Sequence, residues 1–352
     1  MKKGIIIGAS TLLGLVGMGA LFLWRNMFKP LYEPGMVRAG TNLGAPLAPP
    51  AQSNDCQFWN VERDVRLWHF SEGEGRNVLI VHGGPGFPYT TPWLGLAGLT
   101  NEYQFHYYDQ RGCGQSTRPF DRFSSNYYQN MTTLERTLGI GAQVADMERI
   151  RQILGEEKLI IIGHSFGAFL ASLYATEFPD HVEALVLLSP ADVLVMPQKE
   201  GQGLFEEVRK RLPEEMQEEY AAYLKDYLDF QNIFSKSEAD LIALNQEFVK
   251  YYQAAIETSL LEQAKAGGWM VFAMYFSMGQ RHDYTNALQD VKTPVLVIHG
   301  ADDLQTAEAS RAYADAFPNA KFEIIENTGH SSFTDQPEAF LNVVAEFLSE
   351  LK

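Results

Sequence analysis

The chain has 352 residues, enough for one large domain with an insertion or two modest ones. Its 44 acidic against 28 basic residues leave a formal charge of −16, which excludes a nucleic-acid partner because nothing would neutralise the phosphates. Two cysteines, Cys56 and Cys113, are too few for a disulfide framework or a thiolate metal site. A single bridge between them is one open state, and free, part-buried thiols are the preferred one.

Residues 1–29 read as a signal anchor. Met1-Lys2-Lys3 precedes an uncharged stretch from Gly4 to Trp24, and Arg25 and Lys29 follow. An apolar run of about 20 residues is long enough to span a bilayer as a helix, and longer than the core of a cleaved signal. No clean small-residue cleavage site follows, so an uncleaved, single-pass anchor is preferred to secretion after cleavage. The catalytic part is expected outside the cytoplasm, although Arg25 and Lys29 compete with Lys2 and Lys3 for the inner side. Residues 30–56 hold five prolines and no hydrophobic period, which predicts a semi-extended linker.

From residue 57 the pattern changes. Val61–Phe70 alternates as an antiparallel edge strand, and Asn77–His82 and Gln104–Asp109 read as strands. Thr133–Leu154 has helical periodicity. Leu159–His164 is an apolar strand, and Ala184–Leu188, Thr293–His299 and Lys321–Glu326 are three more. Asp335–Leu351 closes the chain as a helix. Strands alternating with helices imply a mostly parallel sheet covered on both faces. Residues 191–288 break this rhythm with helices over Leu204–Leu212, Glu214–Phe230, Ser237–Leu261 and Trp269–Met278, rich in aromatics. They are expected to form a helical cap inserted into a core of residues 57–190 and 289–352.

Chemistry concentrates at Gly163-His164-Ser165-Phe166-Gly167, directly after the apolar run Leu159–Ile162. Strand, Gly-x-Ser-x-Gly, then small and apolar helix residues is the nucleophile elbow of an α/β-hydrolase. The competing reading is a chance Gly/Ser turn in another α/β fold. A serine hydroxyl needs a base, and the base needs an orienting carboxylate; in this fold they come in the order Ser, acid, His. The acid follows Val295–His299, where Asp303 is preferred to its neighbour Asp302. The base is His330, in the loop after the last strand. The oxyanion hole requires two backbone donors, expected at Phe166 and, in His82-Gly83-Gly84-Pro85-Gly86, at Gly84. His164 is expected to point away from the nucleophile. No ligand cluster for a metal is present in the sequence and no cofactor is expected.

Three stretches carry a family resemblance: His82-Gly83-Gly84-Pro85-Gly86, Asp109-Gln110-Arg111-Gly112-Cys113-Gly114-Gln115-Ser116, and Asp146-Met147-Glu148-Arg149-Ile150-Arg151. With the elbow, Asp303 and His330, they closely resemble the prolyl aminopeptidase (proline iminopeptidase) family of α/β-hydrolases over about residues 60–190 and 290–350. The resemblance implies a Ser165–Asp303–His330 triad, an oxyanion hole from Gly84 and Phe166, and Arg111 as a structural tie between loops. It also implies a short-peptide or amino-acid amide substrate. The departures lie at the elbow, where the family has Gly-Gly-Ser-Trp-Gly, and in the cap. The family holds the substrate's α-ammonium with cap glutamates, and Trp269–His282 contains no carboxylate. The expected activity is therefore that of a serine hydrolase acting on short N-terminal peptides or amino-acid amides. A carboxylesterase or lactonase acting on small apolar esters is the alternative. A buried carboxylate facing Ser165 discriminates the two.

Overall fold

The computed structural model describes residues 29–120, 123–256 and 266–351. The strands are β1 (Phe58–Glu62), β2 (Val65–Gly73), β3 (Arg76–Val81), β4 (Tyr103–Tyr108), β5 (Leu159–His164), β6 (Val182–Leu188), β7 (Val195–Met196), β8 (His282–Asp283), β9 (Val295–Gly300) and β10 (Ala320–Ile325). Eight of them form one sheet in the order β1-β2-β4-β3-β5-β6-β9-β10. β1, β2 and β4 pair antiparallel; from β4 through β10 every pairing is parallel.

The central strands are apolar because both faces are covered. Every residue of β5 and of β9 is buried. One face packs on the helices Ile140–Leu154 and Phe166–Glu177, the other on Trp93, Phe105, Phe340, Val344 and Phe347. The sheet grows outward in both directions from the adjacent pair β3 and β5. The carboxyl ends of such a pair form a crevice where ligands bind in open α/β sheets. The loops that open there are those of His82–Gly86 and Ser165.

Three expectations need correction. The helix expected over Thr133–Leu154 is two helices, Tyr127–Leu138 and Ile140–Leu154, broken at the extended Gly139. A Cβ at that glycine would stand 2.3 Å from Ser277 Oγ, and the same hydroxyl accepts the Ile140 N–H at 3.0 Å. The break admits the neighbouring helix Trp269–Met278, a tertiary demand that periodicity does not register. The region expected to be purely helical contains the short antiparallel pair β7–β8.

The third correction concerns residues 30–56. Their N-terminal half is a strap laid on the domain rather than a free stalk. Tyr32 and Val37 are buried. The carboxylate of Glu177, itself fully buried, accepts from Tyr32 Oη at 2.9 Å, Gly35 N at 2.8 Å and Arg38 N at 2.9 Å. Leu31 and Tyr32 donate their N–H groups to the Ser277 carbonyl, and Arg149 donates to the carbonyls of Ala45 and Pro46. A segment held by its backbone needs no hydrophobic period, so the sequence pattern is silent about it. The anchor expected over residues 1–29 lies, Lys29 excepted, outside the described residues. Among these no helix is long and apolar enough to cross a membrane.

Candidate active site

β5 delivers Ser165 with φ 56° and ψ −122°, a conformation that L residues adopt only under constraint. The constraint is steric. A Cβ at Gly163 would lie 2.6 Å from Ala168 Cα, and one at Gly167 would lie 2.0 Å from the Val81 carbonyl oxygen. Only glycine lets the turn nest between β3 and the helix Phe166–Glu177. The Ser165 N–H donates to the Leu188 carbonyl at 2.9 Å, and the Ser165 carbonyl accepts from Ala191 N at 3.1 Å, so the apex is tied to the end of β6.

The loop His82–Gly86 is equally close. A Cβ at Gly83 would stand 2.7 Å from Ser165 Cβ, and Gly84 has φ +114°. The N–H groups of Gly84 and Phe166 find no acceptor among the described residues. Phe166 opens a helix, whose dipole adds positive potential at that point. His82 holds the loop from behind. Its Nδ1–H donates to the Gly83 carbonyl at 3.0 Å, which leaves Nε2 to accept the Gln110 N–H at 3.1 Å. Burial pushes the His82 imidazole down to about 4, so it stays neutral. Arg111 anchors the adjoining turn: its Nε donates to Asp146 at 2.6 Å, Nη2 to Glu62 at 2.7 Å and Nη1 to the Thr137 carbonyl at 3.0 Å.

β9 and β10 bring the other two candidates. His330 Nδ1 lies 2.8 Å from Asp303 Oδ2, and the Asp303 side chain is fully buried. Burial works against that carboxylate, yet the charge and hydrogen bond of the facing His330 hold it below the ordinary carboxylate value. Asp303 Oδ1 also accepts the Gln305 N–H at 3.0 Å. The neighbouring Asp302 is exposed, and its N–H donates to the Thr328 carbonyl. His330 and Ser165 line one cavity.

That cavity measures about 430 Å³, the size of a small-ligand site. Gly83, Gly84, Ser165 and Phe166 form one wall of it. Helices between β6 and β9 supply the opposite wall through Leu204, Phe205, Phe248, Tyr252, Met274 and Tyr275. Four of the carboxylates on those helices are engaged elsewhere: Glu206 with Arg209, Glu207 with Lys210, Glu219 with Lys250, and Glu238 with Arg118. None lines the cavity. The one acidic side chain that does is Asp192, half-buried just after β6, with burial raising its pKa and no cation paired with it among the described residues. Its N–H donates to Gln305 Oε1 at 2.9 Å, and Gln305 Nε2 reaches within 3.5 Å of His330 Nδ1. Asp192 and Gln305 escape sequence reasoning because neither sits in a motif. No group of three or more potential metal ligands exists among the described residues. Cys56 is exposed and Cys113 buried, both as free thiols.

Residues 76–337 match the alpha/beta hydrolase fold family. The chain is 28% identical over 309 residues to a proline iminopeptidase of Heyndrickxia coagulans, covering 82% of this chain and 96% of that protein. It is 26% identical over 296 residues to a proline iminopeptidase of Saccharolobus solfataricus, covering 80% and 87%. Among solved structures, the proline iminopeptidase of Mycobacterium smegmatis aligns with a TM-score of 0.55 at 20% identity, covering 82% of this chain and 96% of that one. A thermophilic esterase from Thermogutta terrifontis aligns with a TM-score of 0.55 at 21% identity, covering 86% and 99%. At such identities the structural matches speak for the fold alone, and they come from peptidase and esterase alike. The family match over most of the chain, on an eight-stranded sheet with a glycine-bound serine elbow at its crevice, makes this chain a member of the alpha/beta hydrolase fold family, an enzyme similar to proline iminopeptidases.

Proposed function

We propose that the protein is a serine hydrolase working through an acyl-enzyme. Ser165 attacks an acyl carbon, and His330 takes its proton and returns it to the leaving group. Asp303 holds the imidazole in the tautomer that leaves Nε2 free to act as base. The N–H groups of Gly84 and Phe166 stabilise the oxyanion, a contribution of roughly 10²–10³ in rate per donor. A water molecule, its proton taken by His330, then attacks the acyl carbon, and the bond to Ser165 Oγ breaks as His330 returns the proton to that oxygen, releasing the acid. The observation that carries this reading is the 2.8 Å His330–Asp303 contact, facing the cavity that also holds Ser165 and two unpaired N–H groups.

For the substrate we take the amide of a short peptide or amino acid with a free amine, in line with the similarity to proline iminopeptidases over nearly their whole length. Asp192 is the lining carboxylate suited to an ammonium group in an otherwise apolar cavity. A second reading, an esterase for small apolar esters, draws on the apolar cap wall, which carries no acidic side chain among the described residues. The test compares kcat/KM of the full chain on proline and alanine arylamides, their N-acetyl forms and short-chain p-nitrophenyl esters, with Ser165→Ala as blank. Turnover of the free-amine arylamides, lost on N-acetylation and in Asp192→Asn, supports the peptidase. Turnover of esters alone, unaffected by Asp192→Asn, transfers the assignment to the esterase. We also propose that residues 1–29 anchor the chain to a membrane. Release of the protein from membranes by alkaline carbonate wash would overturn that.

A further inference from the structure

The residue between Gly163 and Ser165 is a histidine with a complete set of partners. His164 Nε2 lies 2.8 Å from the backbone carbonyl oxygen of His330, and its Nδ1 meets the Tyr89 hydroxyl. A carbonyl can only accept, so Nε2 carries the hydrogen. Nδ1 is then a lone pair, and Tyr89 must be the donor. The ring is buried, and burial followed by the neighbouring His330 pushes its pKa down to about 3. It is therefore neutral at any working pH, and only one tautomer satisfies both neighbours.

An aromatic collar fixes the plane of that ring. Trp93 and Phe333 stack on each other at 3.9 Å, and both meet His164 edge-on, at 6.1 Å and 5.4 Å. Tyr89 in turn stands edge-on to Trp93 and to Phe333. The His164 and His330 rings lie 4.6 Å apart. Three segments meet here: Tyr89 and Trp93 follow the loop after β3, His164 ends β5 at the elbow, and His330 precedes a short helix that holds Phe333.

We propose that His164 is a positioning residue which, through the Tyr89–His164–His330 carbonyl chain, holds the base loop in register with the nucleophile and the oxyanion loop. Among the described residues, no other hydrogen bond joins the turns of Ser165 and His330: Ser165 is tied to β6, and Asp303 meets the His330 ring. His164 supplies the missing link to the His330 backbone. It lines the same cavity, with its ring beside that of His330, and acts through His330 rather than on substrate.

The activity arm of the test rests on the serine-hydrolase reading, and a second arm is independent of it. In full-length protein labelled with ¹⁵N-histidine, NMR should find one histidine locked as the Nε2–H tautomer with Nδ1 hydrogen-bonded, neutral down to pH 4. That signal should vanish in His164→Gln, and in Tyr89→Phe its Nδ1 shift should move. A His164 in the other tautomer, or one that titrates near neutrality, overturns the proposal whatever the enzyme does. In the activity arm, on a p-nitrophenyl ester with Ser165→Ala as blank, His164→Ala should lower kcat by about 10–100-fold with KM changed less than about 3-fold, the signature of misplaced catalytic groups. His164→Gln, which keeps an N–H for the His330 carbonyl, should recover most of the loss and restore the acid limb of the pH profile. A kcat loss below about 5-fold in His164→Ala, or a loss that Gln fails to relieve, overturns the positioning role. Activity surviving in Ser165→Ala would instead sink the nucleophile assignment and leave the NMR arm to decide this inference.

Discussion

The two walls of the cavity are built by different rules. On the core wall, every group sits within a few residues of a strand end and is fenced by backbone: Gly163 and Gly167 against the helix and β3, Gly83 against Ser165. On the cap wall, Leu204, Phe205, Phe248, Met274 and Tyr275 come from helices spread over some seventy residues and line the cavity with their side chains. Backbone packing tolerates one residue type, whereas side-chain packing tolerates many of similar volume. The contrast explains why the candidate catalytic residues lie in short motifs on one side while the opposite side of the cavity carries none.

The largest expected break on the core wall is Ser165→Ala, which should abolish hydrolysis by about 10⁴-fold or more while leaving the thermal midpoint within a few degrees, read by activity and circular dichroism. Asp303→Asn should follow at about 10³–10⁴ in kcat, since the amide no longer holds the productive imidazole tautomer. Gly167→Ala tests the fence itself. Its Cβ would meet the Val81 carbonyl oxygen at 2.0 Å, so β3 and the helix must part. A destabilisation of about 2–4 kcal/mol, or failure to fold, is expected in chemical denaturation. A Gly167→Ala protein of unchanged stability would show that the elbow is not sterically determined.

The cap wall should respond more gently. Phe248 is half-buried and lines the cavity. Phe248→Ala should change kcat/KM by about 3–30-fold in a substrate-dependent way, with stability reduced modestly. Equal effects on small and bulky substrates would argue against a role in selection.

The smallest effect is a pH trend in stability. His69, His82 and His106 are pushed down to about 4 by burial, and His164 to about 3. Unfolded, each titrates near 6.5. Below that value the unfolded chain binds more protons than the folded one, so the contribution is full above pH 6.5 and is lost as pH falls toward 4. Asp109 opposes them: burial raises its carboxyl to about 7, so its folded form is favoured on the acid side. Asp192 and Glu135 are raised in the same sense as Asp109, and His299 is lowered with the other histidines; the histidines prevail, which predicts a thermal midpoint lower at pH 5 than at pH 7 by roughly 5 °C or more, measured by calorimetry. His82→Gln should flatten the slope.

Much of the core was legible because its signals are local. The strand before the elbow, the two glycines around Ser165 and the glycines of the oxyanion loop each answer a clash within one turn or with one adjacent strand. The apolar runs of β3, β5, β6 and β9 announce burial on both faces. The resemblance carried by His82–Gly86 and Asp109–Ser116 is borne out at the level of family. The strap was illegible for the opposite reason. Its anchor is Glu177, some 140 residues away, and its bonds come from backbone N–H groups that any residue possesses.

Sequence alone therefore determined the fold class, the sheet and the short turns that bear the candidate nucleophile, acid, base and oxyanion donors, because turn sterics and strand burial are set by neighbours along the chain. The break at Gly139, the strap on Glu177, Asp192 as the acidic lining residue and the coupling of His164 to His330 were decided only in the tertiary structure. Each joins residues far apart in sequence. Their chemistry depends on which partner the folded chain brings within about 3 Å, a distance that no periodicity encodes.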